Sequence, residues 1–224
     1  MLAKLELLPD LAAPGVLYDR GFKFFLDSVD NSLSQKYWIN ENIPELLPSN
    51  QSQISVLSVG CGDGSTELDL LTSLSKKGRK VIYHGIEPNA IHRSRFLQNL
   101  ESKFCSKASD KGDGIAGFQT SNLEMLLFNC AFEEFQPLQE FQQYDLIMCG
   151  HSLYYARSLS ASLHRLLFEL LSSDGHLVIV HATSNGLPQG ATSPARCSAD
   201  VPNRMDPETP VFLTMLRKKK HAYC

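Results

Sequence analysis

Three glycines at alternate positions, Gly60, Gly62 and Gly64, directly follow the strand-forming run "ISVLSV" at 54–59. A strand that ends in such a turn needs positive φ there, or lets another molecule approach the backbone closely. Three ligand classes use glycines at this place. A phosphate-binding P-loop closes on Gly-Lys-Ser/Thr, but Gly64 is followed by Ser65 and Thr66 with no lysine. A dinucleotide fingerprint needs a glycine where Ser65 stands. The spacing G-x-G-x-G suits S-adenosylmethionine, whose amino-acid end lies against the loop and whose carboxylate the loop N–H groups can receive. Glu87 closes a second apolar run, "KVIYHGIEP", and a carboxylate there can accept hydrogen bonds from two adjacent ribose hydroxyls. A further run ends in "CGHSLYYARS", which adds the rings and hydroxyls of Tyr154 and Tyr155 above the same crevice. Adjacent side chains of an extended chain point apart, so the two tyrosines are not both expected in the core.

These groups need a scaffold that brings strand ends together. Residues 16–47 have a helical pattern, with Phe22, Phe25, Leu26, Val29 and Leu33 recurring at three and four, until Pro44 and Pro48 end it. After the strand at 54–59, "STELDLLTSLSKKG" reads as a helix with Leu68, Leu71 and Leu74 on one face and Gly78 as its stop. "KVIYHGIEP" is a second strand, and Asn89 caps a second helix, "NAIHRSRFLQNLESKF". Residues 105–122 read as a polar surface loop, "MLLFNCAF" as a third strand and "YDLIMCG" as a fourth. The helix "ARSLSASLHRLLFELLSSDG" leads to a fifth strand, "HLVIVHA". Strands alternating with helices call for a mostly parallel sheet covered by helices on both faces, and runs such as "LVIV" suit strands buried on two sides. The fold class is therefore α/β and Rossmann-like. Residues 1–50 form an N-terminal helical region on the substrate side, 51–185 the cofactor-binding domain, and 186–224 a divergent, disordered tail rich in proline, serine and glycine.

Bulk properties narrow the function. The 224 residues suit one domain with a modest appendage, and 43% hydrophobic with 20% charged residues is ordinary for a globular chain. A net charge of −3 provides no global attraction to nucleic acid or to anionic membrane. No stretch approaches the ~18 apolar residues of a membrane span, and the N-terminal "MLAKLELLPD" is interrupted too early for a signal peptide. The six cysteines are scattered without a C-x-x-C pair, which argues against a disulfide framework and a metal site. A cytoplasmic protein is expected.

Together "LSVGCGDGSTELDLL", "GIEPNA", "YDLIMCGHSLYYARSLSASLHRLLFELL" and the upstream "YDRGFKFFLDSVDNSLSQKYWINENIP" resemble the histamine N-methyltransferase family, within the class I S-adenosylmethionine-dependent methyltransferases, over residues 17–185. The resemblance implies that Gly60, Gly62, Gly64, Glu87, His92 and Gly150 bind the cofactor. It puts Asp30, His151, Tyr154 and Tyr155 on the side of the amine substrate. Asp30 is one methylene shorter than the family's glutamate, His151 stands for a glutamine, and Ala131 or Phe132 for a serine near the adenine. The family continues past the fifth strand into a substrate cover and two closing strands, which this chain lacks, so the fold is expected to be truncated there. An exposed strand edge would result; pairing of the tail segment "VFLTML" with that edge is the less favoured alternative.

The expected activity is methyl transfer from S-adenosylmethionine to a small amine, histamine or an imidazole relative. The leaving sulfur departs neutral and needs no strong acid, and alignment of the reacting atoms can supply ~7–11 kcal/mol. No catalytic residue is assigned, and His151 is read as pocket lining rather than as a base. Tyrosine faces favour a cation by ~0.5–2 kcal/mol each. The alternatives are a non-catalytic, methyltransferase-like domain and a nicotinamide-dependent oxidoreductase.

Overall fold

A computed structural model describes residues 31–76, 78–139, 143–182 and 211–217. The first element is helix α1 (Asn31–Leu46), which runs two residues past Pro44. Residues 16–30, where the sequence continues the helical pattern, lie outside the described residues. Strand β1 (Gln53–Val59) leads through the glycine loop into helix α2 (Glu67–Lys76), which stops before Gly78 at φ +75°. Strand β2 (Lys80–Ile86) follows, and then helix α3 (Ala90–Phe104), whose N-cap Asn89 accepts hydrogen bonds from the Ile91 and His92 amides.

The segment expected to be a loop contains a hairpin, β3 (Ser109–Gly112) and β4 (Ile115–Gln119). Its two-residue turn is Asp113–Gly114, with φ of +50° and +75°. Positive φ at both central positions is the twist-matched hairpin turn that Asp-Gly favours. The sequence therefore carried the signal inside a stretch whose polarity suggested a loop. Strands β5 (Leu123–Phe128) and β6 (Tyr144–Gly150) come next. Helix α4 (Leu159–His164) then widens into a π-helical turn at Arg165–Leu170. It ends earlier than the sequence pattern suggests, because β7 (Leu171–Ala182) already begins at Leu171, with a register break before Leu146 meets His176.

The sheet order is β3-β4-β5-β2-β1-β6-β7-β8. Strands β5, β2, β1, β6 and β7 are parallel, whereas β3, β4 and β8 (Val211–Arg217) pair antiparallel at the two sides. The last pairing corrects an expectation. The segment "VFLTML" does lie along β7, with Val178 opposite Met215 and Val180 opposite Leu213, so β7 is not the sheet edge. An apolar strand with unpaired N–H and C=O groups is a strong template, and a β-branched and aliphatic segment satisfies it. The remainder of 186–224, expected to be disordered, lies outside the described residues.

Period-two alternation divides the core between the two faces of the sheet. Ile54 and Val56 of β1 pack with Leu70, Leu71 and Leu74 of α2 and Phe96 of α3. Leu57 and Val59 pack with Phe132, Phe135, Leu166 and Leu170 on the opposite face. Both layers are thus buried, and the winding reverses between β1 and β6, where an open α/β sheet leaves its crevice beyond the carboxyl ends of the strands.

Candidate functional site

The carboxyl ends of four adjacent strands, β5, β2, β1 and β6, supply the walls of one cavity of about 480 Å³. After β1 the chain turns through Gly60, Gly62 and Gly64 at φ of +67°, +58° and +72°. The three glycines are not equivalent. A Cβ at Gly60 would sit 2.5 Å from the Ser152 Cβ, and one at Gly64 would sit 2.3 Å from the Phe96 ring. At Gly62, which lines the cavity, an added Cβ would meet no atom within 4 Å. Gly60 and Gly64 are therefore needed for packing, and Gly62 leaves open a space on the cavity side.

The loop is fastened to the end of β2. The Gly60 and Cys61 amides donate to the Ile86 carbonyl at 2.9 and 3.1 Å, and the Gly62 amide donates to Glu87 Oε2 at 2.8 Å. The Asn89 amide donates to Glu87 Oε1 at 2.8 Å. The Gly64 amide bonds the Cys61 carbonyl and the Ser65 amide bonds Asp63 Oδ1. Five loop amides thus have partners within the protein. These bonds brace the loop from within; the expectation that loop N–H groups receive a ligand carboxylate stays a proposal.

Glu87 is 6% exposed yet lines the cavity. Each of its oxygens accepts one backbone N–H, and a carboxylate oxygen has two acceptor positions, so each retains one. Two such acceptors on one carboxylate match a vicinal diol. Burial pushes the carboxyl above its ordinary range, opposed by the Asn89 and Gly62 amides and by the nearby His92 and Arg93 charges. Arg93 Nη1 also donates to the Glu87 carbonyl at 3.1 Å and to Asn129 Oδ1 at 2.7 Å, tying α3 to the ends of β2 and β5.

The opposite wall follows β6. Gly150 and His151 line the cavity, and His151 adopts φ +53°, uncommon for a residue with a side chain, while its amide bonds the Val180 carbonyl at 2.9 Å. Leu153–Tyr155 then forms a 3-10 turn. The rings of Tyr154 and Tyr155 are 4.9 Å apart, edge to face, and the rings of His151 and Tyr154 are 6.4 Å apart. As the sequence suggests, the two tyrosines are not both in the core: each is about half exposed, and the 3-10 turn sets them side by side on the cavity. Ala131, Phe132 and Glu133 complete the wall after β5. Glu133 accepts the Arg157 amide at 2.9 Å, and this bond holds its carboxyl below its ordinary range.

Eight of the ten residues assigned to the site from the sequence line this cavity: Gly60, Gly62, Glu87, His92, Gly150, His151, Tyr154 and Tyr155. Gly64 does not; it lies against Phe96. Asp30 lies outside the described residues. Asn89, Glu133 and Ser152 also line the cavity and were not assigned to the site from the sequence. Asn89 was legible as a helix cap, and Glu133 carried no signal beyond its position after an apolar run. Among the described residues no cluster of His, Cys, Asp and Glu is arranged to hold a metal ion, and no helix is long and apolar enough to cross a membrane.

A family model described as a methyltransferase domain matches residues 33–206. Histamine N-methyltransferase from Cavia porcellus is 24% identical over 175 residues, covering 73% of this chain and 54% of that protein. The Bos taurus protein of the same name is 23% identical with the same coverage. The chain spans about half the length of the curated relatives it matches. Among solved structures, the plantazolicin methyltransferase BpumL, in complex with a monoazolic desmethylPZN analog and SAH, is 16% identical with a TM-score of 0.46, covering 75% of this chain and 55% of that one.

Proposed function

Starting from a chain that belongs to the methyltransferase-domain family, we propose that it binds S-adenosylmethionine in the crevice beyond β1 and β2 and transfers the methyl group to a nitrogen of a small amine, histamine or an imidazole relative. One observation carries the reading: the Gly62 amide donates to Glu87 at 2.8 Å, so the glycine loop and the acidic strand end form one wall of one cavity. The residues present fit the cofactor. Glu87 retains two acceptor positions for the ribose diol, Gly62 leaves room where a side chain would intrude, and Phe132 and His92 add their rings to the lining. When bound, S-adenosylmethionine supplies a methyl group on a positively charged sulfur, which leaves neutral as the acceptor's lone pair forms the new bond.

The chain's own residues then bind and orient. Gly150 and His151 shape the wall between cofactor and substrate, and Tyr154 and Tyr155 present paired ring faces to a cation. Asp30, assigned to the amine by resemblance, keeps that role in the proposal. No residue is given the part of a base, because the acceptor nitrogen need only arrive unprotonated and the product can release its proton to water. Positioning of this kind is what the crevice contributes.

Incubation of the full chain with cofactor labelled in the methyl group and a panel of amines tests the reading. Label transferred to histamine or another imidazole amine is the expected result. Transfer to non-amine acceptors only would overturn the amine assignment. Cofactor binding without transfer to any acceptor would favour a non-catalytic domain.

A further inference from the structure

Beneath the glycine loop, on the face away from the cavity, lies a buried carboxyl that the proposed reaction does not use. Glu67, the first residue of α2, is 7% exposed, and its Oε1 accepts the Ser58 hydroxyl at 2.8 Å. Ser58 itself is 1% exposed and sits on β1 two residues before Gly60. The bond therefore closes the whole loop 60–66 at its base, joining the strand that enters it to the helix that leaves it. The other side of the loop is closed by Glu87 through Gly62. A first-turn glutamate would ordinarily face water, where it favours the helix dipole at no desolvation cost. Here it turns inward.

We propose that Glu67 is a positioning residue for the glycine loop: its carboxyl, holding the Ser58 hydroxyl, ties the end of β1 to the first turn of α2 and keeps the Gly62 amide aligned on Glu87. The consequence for cofactor affinity rests on the reading given above, while the clamp itself does not. The groups facing Glu67 are the Ser58 and Tyr83 hydroxyls from β1 and β2, the Cys61 thiol and Asp63 carboxylate from the loop, and the Glu87 carboxylate from the end of β2. None is a cation, so an ionised Glu67 adds repulsion to a site already lined by acceptors. Burial accordingly raises its carboxyl to about 7. The Ser58 bond by itself favours the ionised carboxyl, but desolvation outweighs it, so ionisation above that pH favours opening of the buried loop base to water.

Amide hydrogen exchange of residues 60–64 in the full chain without ligand tests the clamp. Glu67→Ala and Ser58→Ala each remove one end of a buried hydrogen bond, so exchange in the loop rises about tenfold while the amides of Val56 and Leu57 in the centre of β1 stay protected. Glu67→Gln restores protection, because its amide oxygen still accepts the Ser58 hydroxyl. The wild type, corrected for intrinsic exchange, loosens in the loop as pH rises through about 7, and Glu67→Gln does not. Loop exchange unchanged in both alanine variants, or raised equally throughout the sheet, would overturn the proposal. Titration with S-adenosylhomocysteine separates the two claims. Glu67→Ala weakens binding about tenfold and Glu67→Gln leaves it close to wild type. A wild type that binds none of it removes the cofactor reading, with the exchange data still deciding the clamp.

Discussion

Two buried titratable side chains oppose each other in the dependence of stability on pH. His84 on β2 is 1% exposed, pairs with the Tyr144 hydroxyl at 2.7 Å, and is lowered by burial from 6.5 to about 4. The unfolded chain binds a proton at His84 below 6.5 and the folded chain does not until about 4, so stability falls as pH drops through that interval. Glu67 runs the other way. Its carboxyl is raised from 4.5 to about 7, so its contribution is complete below 4.5 and is lost as pH rises to about 7. Each shift amounts to about 3 kcal/mol across the interval, and the two slopes largely cancel between about pH 4.5 and 6.5. Urea titrations over that range expose the cancellation. Glu67→Gln should gain stability with rising pH and His84→Gln should lose it, with the wild type flatter than either; slopes of the same sign in the two variants would contradict the assignment.

At the level of elements, the glycine loop separates packing from ligand access. Gly64→Ala combines positive φ with a Cβ 2.3 Å from the Phe96 ring, so α3 must shift, at a cost of about 2–5 kcal/mol in stability. Gly62→Ala faces open space and should lose only about 1–2 kcal/mol while weakening cofactor binding more than Gly64→Ala does. Equal effects of the two variants on melting temperature would contradict the division. The alternation of strand and helix, the Asn89 cap and the helix stop before Gly78 were legible because each rests on local chemistry. The 105–122 hairpin was not: its strands are short and lack the alternating apolar pattern, although Asp113–Gly114 marked the turn. The tyrosine pair was legible as a pair but not in its geometry, since the 3-10 turn depends on tertiary contacts after β6. The Glu67–Ser58 bond was illegible for the same reason: nine residues apart, they meet only when the loop folds back.

For the whole molecule, the eighth strand alters what the chain can be. Val211–Arg217 covers β7 along seven residue pairs, Ala182 to His176. A chain ending at Ala182 should therefore expose an apolar edge, melt at lower temperature and self-associate in sedimentation velocity. A truncated chain that stayed monomeric with an unchanged melting temperature would show that the pairing contributes nothing. The central claim concerns the middle of the sheet, where the loop after β1 and the carboxylate after β2 form one binding wall. Calorimetric titration of the full chain and of Glu87→Ala with S-adenosylhomocysteine tests it most directly. The account predicts saturable one-to-one binding to the wild type, weakened roughly 10–100-fold in the variant by the loss of charged hydrogen bonds. Equal affinity in both proteins, or no binding to the wild type at millimolar concentration, would contradict it.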